Sequence, residues 1–453
     1  MLQVDKVAFS PLDSSLFAPL FSDAEVAALF SDARFVRAML DVEAALAAVQ
    51  GRLGVIPADA AAQVVTGAAA LNVDYDQMRS GMEKSGVPVI ELVRQLRAQV
   101  GEGSADYVHW GATTQDIMDT ARVLQIRAAL FTLERALSDV AQNLARLADR
   151  HRHTLMAGRT HSQQALPIPF GLKAANWLAP LLRHRQRLAE MKPRLLVVQF
   201  GGAAGTLAAL GDGGTAVQTA LAAELNLNVP LTPWHTQRDN LAEFAGWLSL
   251  VSGGLAKMAQ DVILLAQSEV GEVRETADPT RGGSSTMPQK SNPIVSELII
   301  AAARTNASLL ANMHQALVQE QERATHGWQM EWLTLPQMVG LTAVTLNKAR
   351  FLSENLVVNE TKMRENVAAS NGLMLAEAIT FALAPAYMSR AAARQLVKAA
   401  CQVALQEGRH LVDVVREQTD APLDWQTLRD ESAYFGVANE FINRVLERVS
   451  EVH

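Results

Sequence analysis

The chain has 453 residues, of which 49% are hydrophobic and 19% charged, with a formal net charge of −7. That is enough apolar material for a large core and for roughly two to four domains. Without a tract of Lys and Arg it argues against nucleic acid, whose phosphates call for clustered positive charge. An anionic small molecule would need local positive groups set against a mildly negative background.

Aromatics make up only 5% of the chain, and Ala and Leu are abundant. Both are strong helix formers, because they lose little side-chain freedom in a helix. An all-α fold is the starting expectation. The first residues show no basic region followed by an apolar core, so no signal peptide is expected. No run of about 20 uninterrupted apolar residues occurs, so no membrane span is expected either.

In chain order, Asp32 to Leu53 reads as an amphipathic helix closed by Gly54 and the nearby Pro57. Shorter elements follow, up to Tyr107-Val108-His109-Trp110-Gly111. Next comes Ala112-Thr113-Thr114-Gln115-Asp116, where hydroxyls meet a helix start. Residues 1–110 are expected to form a first helical domain.

From Thr114 to about Arg150 there is neither Pro nor Gly. Val123, Ile126, Leu130, Leu133, Leu137, Val140, Leu144 and Leu147 alternate in steps of three and four, the seam of a long helix. At 1.5 Å per residue such a helix is roughly 50–55 Å long. Gly158-Arg159-Thr160-His161 follows, with an imidazole that titrates near neutral pH. A further helix is expected from about Phe170 to Leu196.

A second seam runs through Leu241, Phe244, Leu248, Val251, Leu255, Met258, Val262 and Leu265. Two such helices point to a long-helix bundle rather than a solitary coiled coil. Stepping back from Val123 gives Asp119 and Asp116, and stepping forward from Leu265 gives Glu269 and Glu272. Inward carboxylates are costly unless paired or wet. Two readings stand side by side: the bundle opens into a polar site, or the seams fray into solvent with Thr113 and Asp116 as a capping box.

Thr276 to Ser291 is about 16 residues without periodicity, a length usually reserved for functional or disordered loops. It contains Gly282-Gly283-Ser284-Ser285-Thr286-Met287-Pro288-Gln289-Lys290-Ser291-Asn292-Pro293. The glycines allow tight turning, the serines bring hydroxyls and Lys290 a positive charge. Asn292-Pro293 reads as a helix start with Asn as cap, and a helix N-terminus is an anion site. Residues 111–362 are expected to form the central bundle, and the shorter amphipathic segments of 363–453 a third domain. Cys401, the only cysteine, makes no internal disulfide, which fits a reducing cytosol.

The loop resembles the G-S-S-x-M-P-x-K-x-N-P signature of the aspartase/fumarase superfamily at every fixed position. Gly158 to His161 is similar to that superfamily's G-R-T-H segment, and Gly111 to Asp116 to the segment opening its bundle. The resemblance implies an all-α homotetramer with a twenty-helix core, active sites shared between subunits, and neither metal nor organic cofactor. It implies Ser284 as catalytic base in eliminations, and Lys290 and Asn292 as the groups holding a substrate carboxylate and its enediolate-like intermediate. It also implies a His161–Glu297 pair. The remaining substrate-binding candidates are His109, Thr113, Thr114, Arg159, Thr160, Gln237, Arg238, Ser285, Met287 and Arg323.

Within the superfamily, the chain length, Phe9-Ser10-Pro11-Leu12 and the loop variant resemble the branch of adenylosuccinate lyases and carboxymuconate cycloisomerases. Adenylosuccinate lyases usually open with an Arg-Tyr pair, and the first 30 residues here contain neither. Trp110, Trp234 to Asp239, Glu322-Arg323, Trp328, Glu331-Trp332 and Leu375 to Ala378 look more like the cycloisomerases. The resemblance implies a cytoplasmic enzyme of aromatic-compound breakdown that lactonises 3-carboxy-cis,cis-muconate. An adenylosuccinate lyase or another fumarate-releasing lyase is the first alternative, and a non-catalytic, crystallin-like structural protein on the same fold is the second.

Overall fold

A computed structural model describes residues 10–323, 325–384 and 386–450; Phe9 lies outside them. The main helices are α1 (Asp32–Arg52), α2 (Ala58–Ala70), α3 (Val89–Val100), α4 (Thr114–Arg150), α5 (Phe170–Leu195), α6 (Asp239–Leu265), α7 (Ile294–Gln315), α8 (Gly327–Asn355) and α9 (Arg390–Glu407). The start of α1 is set by Ser31, whose hydroxyl accepts the Arg34 amide, and its end by Gly54 in the left-handed region at φ 71°.

Both expected seams are core. The eight residues named on α4 and the eight on α6 are all at most 8% exposed. The all-α expectation needs one addition, two short antiparallel ribbons. One pairs β1 (Leu155–Thr160) with β2 (Gln163–Pro169); the other pairs β3 (Val273–Arg274) with β4 (Val357–Val358).

Packing groups the chain into two compact units. The first takes the chain up to Ala136 with His184–Gly253 and Ala302–Thr345; the second takes Leu137–Arg183, Gly254–Ala301 and the chain from Leu346 onward. In the first, Met39, Leu40, Val42, Leu92, Leu96, Ile117 and Trp328 share one core. In the second, Leu375, Ile379, Val397, Leu411 and Val415 share another, with Cys401 packed at its edge.

Candidate active-site segments

In the first unit, the 109–116 segment enters α4. Thr113 and Asp116 make one half of a capping box: the Thr113 amide donates to Asp116 Oδ2 at 3.0 Å, while the Asp116 amide goes to the Thr113 backbone carbonyl. Asp116 is nevertheless fully buried, and it also accepts from the amides of Gly201 and Gly202, from Gln199 Nε2, and pairs with His235 Nε2 at 2.7 Å. One helical turn on, Asp119 takes Arg238, the Trp328 indole N–H and Gln115. These inward carboxylates are therefore neither frayed nor facing a wet opening. They are paired, as burial demands.

Arg238 is 2% exposed. Its guanidinium spans Asp119 (2.7 Å) and Glu331 (2.6 and 2.8 Å) and lies over the Trp234 ring. Burial pulls the guanidinium pKa down, but the two carboxylates outweigh that and leave it raised. Burial pushes the Glu331 carboxyl above its ordinary range, partly offset by Arg238. All the fork's geometry is spent inside the protein. Gln237 is exposed, and its side-chain amide donates to Thr232 Oγ1. Arg323 is brought onto both threonines of the segment: it donates to Thr113 Oγ1 and, at 3.2 Å, to Thr114 Oγ1.

His109 lies at φ 66°, an uncommon left-handed position for a residue with a side chain. Its Nδ1 sits 2.6 Å from Oε1 of Glu43, a carboxylate from α1 that is 1% exposed. Burial works against the imidazolium, yet Glu43, helped by Asp116, leaves the pKa raised. Glu43 was not foreseen. Its one trace in the sequence is a lone carboxylate on the apolar face of α1.

In the second unit, the 276–291 loop is pinned at its base. Asn292 donates its amide to the Gly282 carbonyl at 2.7 Å, and Gly283 bridges Ser291. Gly282 sits at φ 71°, and a Cβ there would run into the Asn292 backbone, so both the turn and the close approach require glycine. Ser284 is half-buried, and its Oγ accepts the amides of Thr286 (3.3 Å) and Met287 (3.1 Å). Two amide donors aimed at one hydroxyl oxygen favour negative charge on it. Ser285, Met287 and Lys290 are exposed.

The helix start differs from expectation in one respect. The amides of Val295 and Ser296 donate to the two oxygens of Glu275, at 3.0 and 2.6 Å. Glu275, 6% exposed, thus fills the anion position at the N-terminus of α7 that the sequence suggested for a ligand. A cavity of about 730 Å³ lies alongside, lined by Lys290, Asn292 and Glu297 with Arg274, Glu275 and Gln267. Neither Ser284 nor His161 lines it.

His161 and Ser162 are the two central residues of the β1–β2 turn, at φ 49° and 64°. Both left-handed, they make the type I′ geometry that Asn-Gly normally occupies. Gly158 supplies the register shift behind them, where a Cβ would come within 2.9 Å of the Leu166 carbonyl. Arg159 grips Glu272 with two bonds of 2.7 and 2.9 Å, and Glu272, fully buried, also accepts Asn366. Glu269, its companion beyond the seam, is exposed. Thr160 and His161 point outward from the ribbon, and His161 and Glu297 do not bond within this chain.

Comparison with known proteins covers nearly the whole chain. A family described as Lyase matches residues 23–305, and one described as Adenylosuccinate lyase C-terminus matches 372–445. Over 441 residues the chain is 45% identical to the 3-carboxy-cis,cis-muconate cycloisomerase of Pseudomonas aeruginosa, covering 96% of each. It is 40% identical to trans-aconitate decarboxylase 1 of Mycosarcoma maydis, over 95% of this chain and 88% of that one. The solved 3-carboxy-cis,cis-muconate lactonizing enzyme from Pseudomonas putida superposes with a TM-score of 0.91 at 40% identity, covering 97% of this chain and all of the other.

Proposed function

Since this chain belongs to the lyase family matched over residues 23–305, we propose that it is a cycloisomerase lactonising 3-carboxy-cis,cis-muconate. The single observation that carries this reading is 45% identity with a cycloisomerase over 96% of both chains; a structural match over 97% of this chain supports it. The reaction forms a C–O bond between one substrate carboxylate and an alkene carbon. The alkene's electron pair moves to the neighbouring carbon, which takes a proton.

That neighbouring carbon adjoins a carboxylate, so charge builds on the carboxylate before the proton arrives. Preorganised donors must absorb it, and this is usually the largest catalytic contribution. Lys290 and Asn292, together at the cavity beside the loop, suit that role. Ser284 and His161 are the two candidates for proton transfer. The paired amides on Ser284 Oγ favour the serine, because a hydroxyl that can rest as an alkoxide can also give up its proton.

The active assembly is a cytosolic homotetramer with sites shared between subunits. Two features support it. His161, Lys290 and Glu297 are exposed in the single chain, as residues completing a neighbour's site must be. Helices α6 and α7 are long and apolar enough to cross a membrane, yet less than half of each apolar stretch is buried. The buried stripe of α6 is its core seam, and further copies of the chain would cover the rest.

Ultraviolet assays on carboxymuconate, adenylosuccinate and trans-aconitate decide the substrate. Lactonisation of the first is expected. Turnover of adenylosuccinate alone, which the match at residues 372–445 makes the competing reading, would overturn it.

A further inference from the structure

The α1 helix carries two buried polar side chains on an otherwise apolar face, Glu43 (1% exposed) and Gln50 (fully buried). They are seven residues apart, two helical turns, and so share one face. Both reach the same segment. Gln50 Nε2 donates to the Trp110 carbonyl at 2.8 Å, and Glu43 Oε1 meets His109 Nδ1 at 2.6 Å. Each also keeps one buried oxygen, Gln50 Oε1 and Glu43 Oε2, without a protein partner. A packing role alone does not account for two such groups, since Leu would fill that face without an unsatisfied oxygen.

Residues 109–111 need this restraint. His109 and Gly111 are both left-handed, at φ 66° and 73°, a conformation that is strained for a residue with a side chain. What is gained is a ring whose Nδ1 is committed to a carboxylate. Its Nε2 bonds to no other described residue, and the ring lines a cavity of about 390 Å³ with Thr114, Arg94, Arg97 and Glu91. An imidazole held in this way points its Nε2 in one direction.

We propose that Glu43 is a positioning residue: from α1 it holds His109 by Nδ1 and orients the ring, so that Nε2 is presented to a substrate carboxylate. The clause about substrate rests on the functional reading above; the dyad itself does not. The charged groups facing the ring are Glu43 on α1, Asp116 on α4 and Arg97 on α3, with Glu91 and Arg94, also on α3, around the same cavity; Arg323 reaches the adjoining Thr113 and Thr114. Glu43 and Asp116 favour the cation and Arg97 opposes it. With the pKa raised, the charge is complete below the ordinary imidazole range and disappears as pH rises through the raised value. Carboxylate binding must weaken over that same interval.

The test uses the full-length protein and the isosteric variant Glu43→Gln, with NMR titration of ring-labelled histidine alongside steady-state kinetics. In the variant the His109 titration moves to lower pH. KM for carboxymuconate at neutral pH rises about tenfold, the scale of one charge-assisted hydrogen bond, and its alkaline increase begins at lower pH. kcat changes less than KM. An unmoved titration in a folded variant would overturn the dyad. A moved titration with unaltered KM would leave the dyad standing but remove His109 from the substrate site. If Glu43→Gln does not fold, Glu43→Asp, which keeps the charge but shortens the reach, takes its place. The dyad then requires a displaced His109 titration, and an unchanged one overturns it.

Discussion

At the scale of single residues, the β1–β2 turn sets chemistry against conformation. His161 and Ser162 occupy positions that Asn and Gly fill at lower cost. The double substitution His161→Asn, Ser162→Gly should therefore raise stability by about 1 kcal/mol or more, seen as a higher Tm, while activity collapses. A stabilised and fully active variant would remove His161 from the mechanism. Ser284→Ala should leave Tm unchanged and lower kcat by about 10²–10⁴-fold, the usual worth of a positioned proton-transfer group. These residues were legible in the sequence because a signature binds them in local order. Their supports were not. Glu43, Glu275 and the Arg159–Glu272 pair each join positions far apart in the chain, and nothing in the local text announces a partner that only folding supplies.

At the scale of elements, two arginines that looked alike in the sequence part company. Arg238 neutralises two buried carboxylates, Asp119 and Glu331. Removing one partner of a buried ion network leaves uncompensated charge and costs about 3–5 kcal/mol. Arg238→Ala should thus appear first as a large fall in Tm. Arg323, half-buried and bonded to the hydroxyls of Thr113 and Thr114, should instead raise KM on replacement by Ala with little change in Tm. Unfolding scans beside Michaelis–Menten curves for the two variants check the contrast. The inverse pattern would make Arg238 the substrate anchor. The periodic elements were the most legible part of the fold: α4 has the expected ends, Thr114 and Arg150, because an unbroken seam flanked by loop chemistry leaves little freedom. The hairpin at 155–169 was not, since seven residues containing Pro167 and Pro169 carry no alternation of apolar and polar positions.

At the scale of the whole molecule, packing gathers distant stretches of chain into two units. Long helices explain why: one helix can belong to two cores at once, and periodicity records only that it has a buried face. The apolar faces of α6 and α7 that stay uncovered include Leu250, Leu264 and Ile294, all more than a third exposed, patches of the kind that mark association surfaces. A charge placed there, as in Leu250→Asp, should lower the mass measured by light scattering and abolish activity together. The sharper consequence concerns sharing. If His161 and Ser284 of one site come from different subunits, mixing the inactive Ser284→Ala and His161→Asn proteins after reversible dissociation builds some sites from two intact contributions. Random reassortment at equal amounts would restore roughly a quarter of the sites. Were both residues supplied to each site by the same chain, every hybrid would carry one lesion per site and the mixture would stay inactive, however well it assembled.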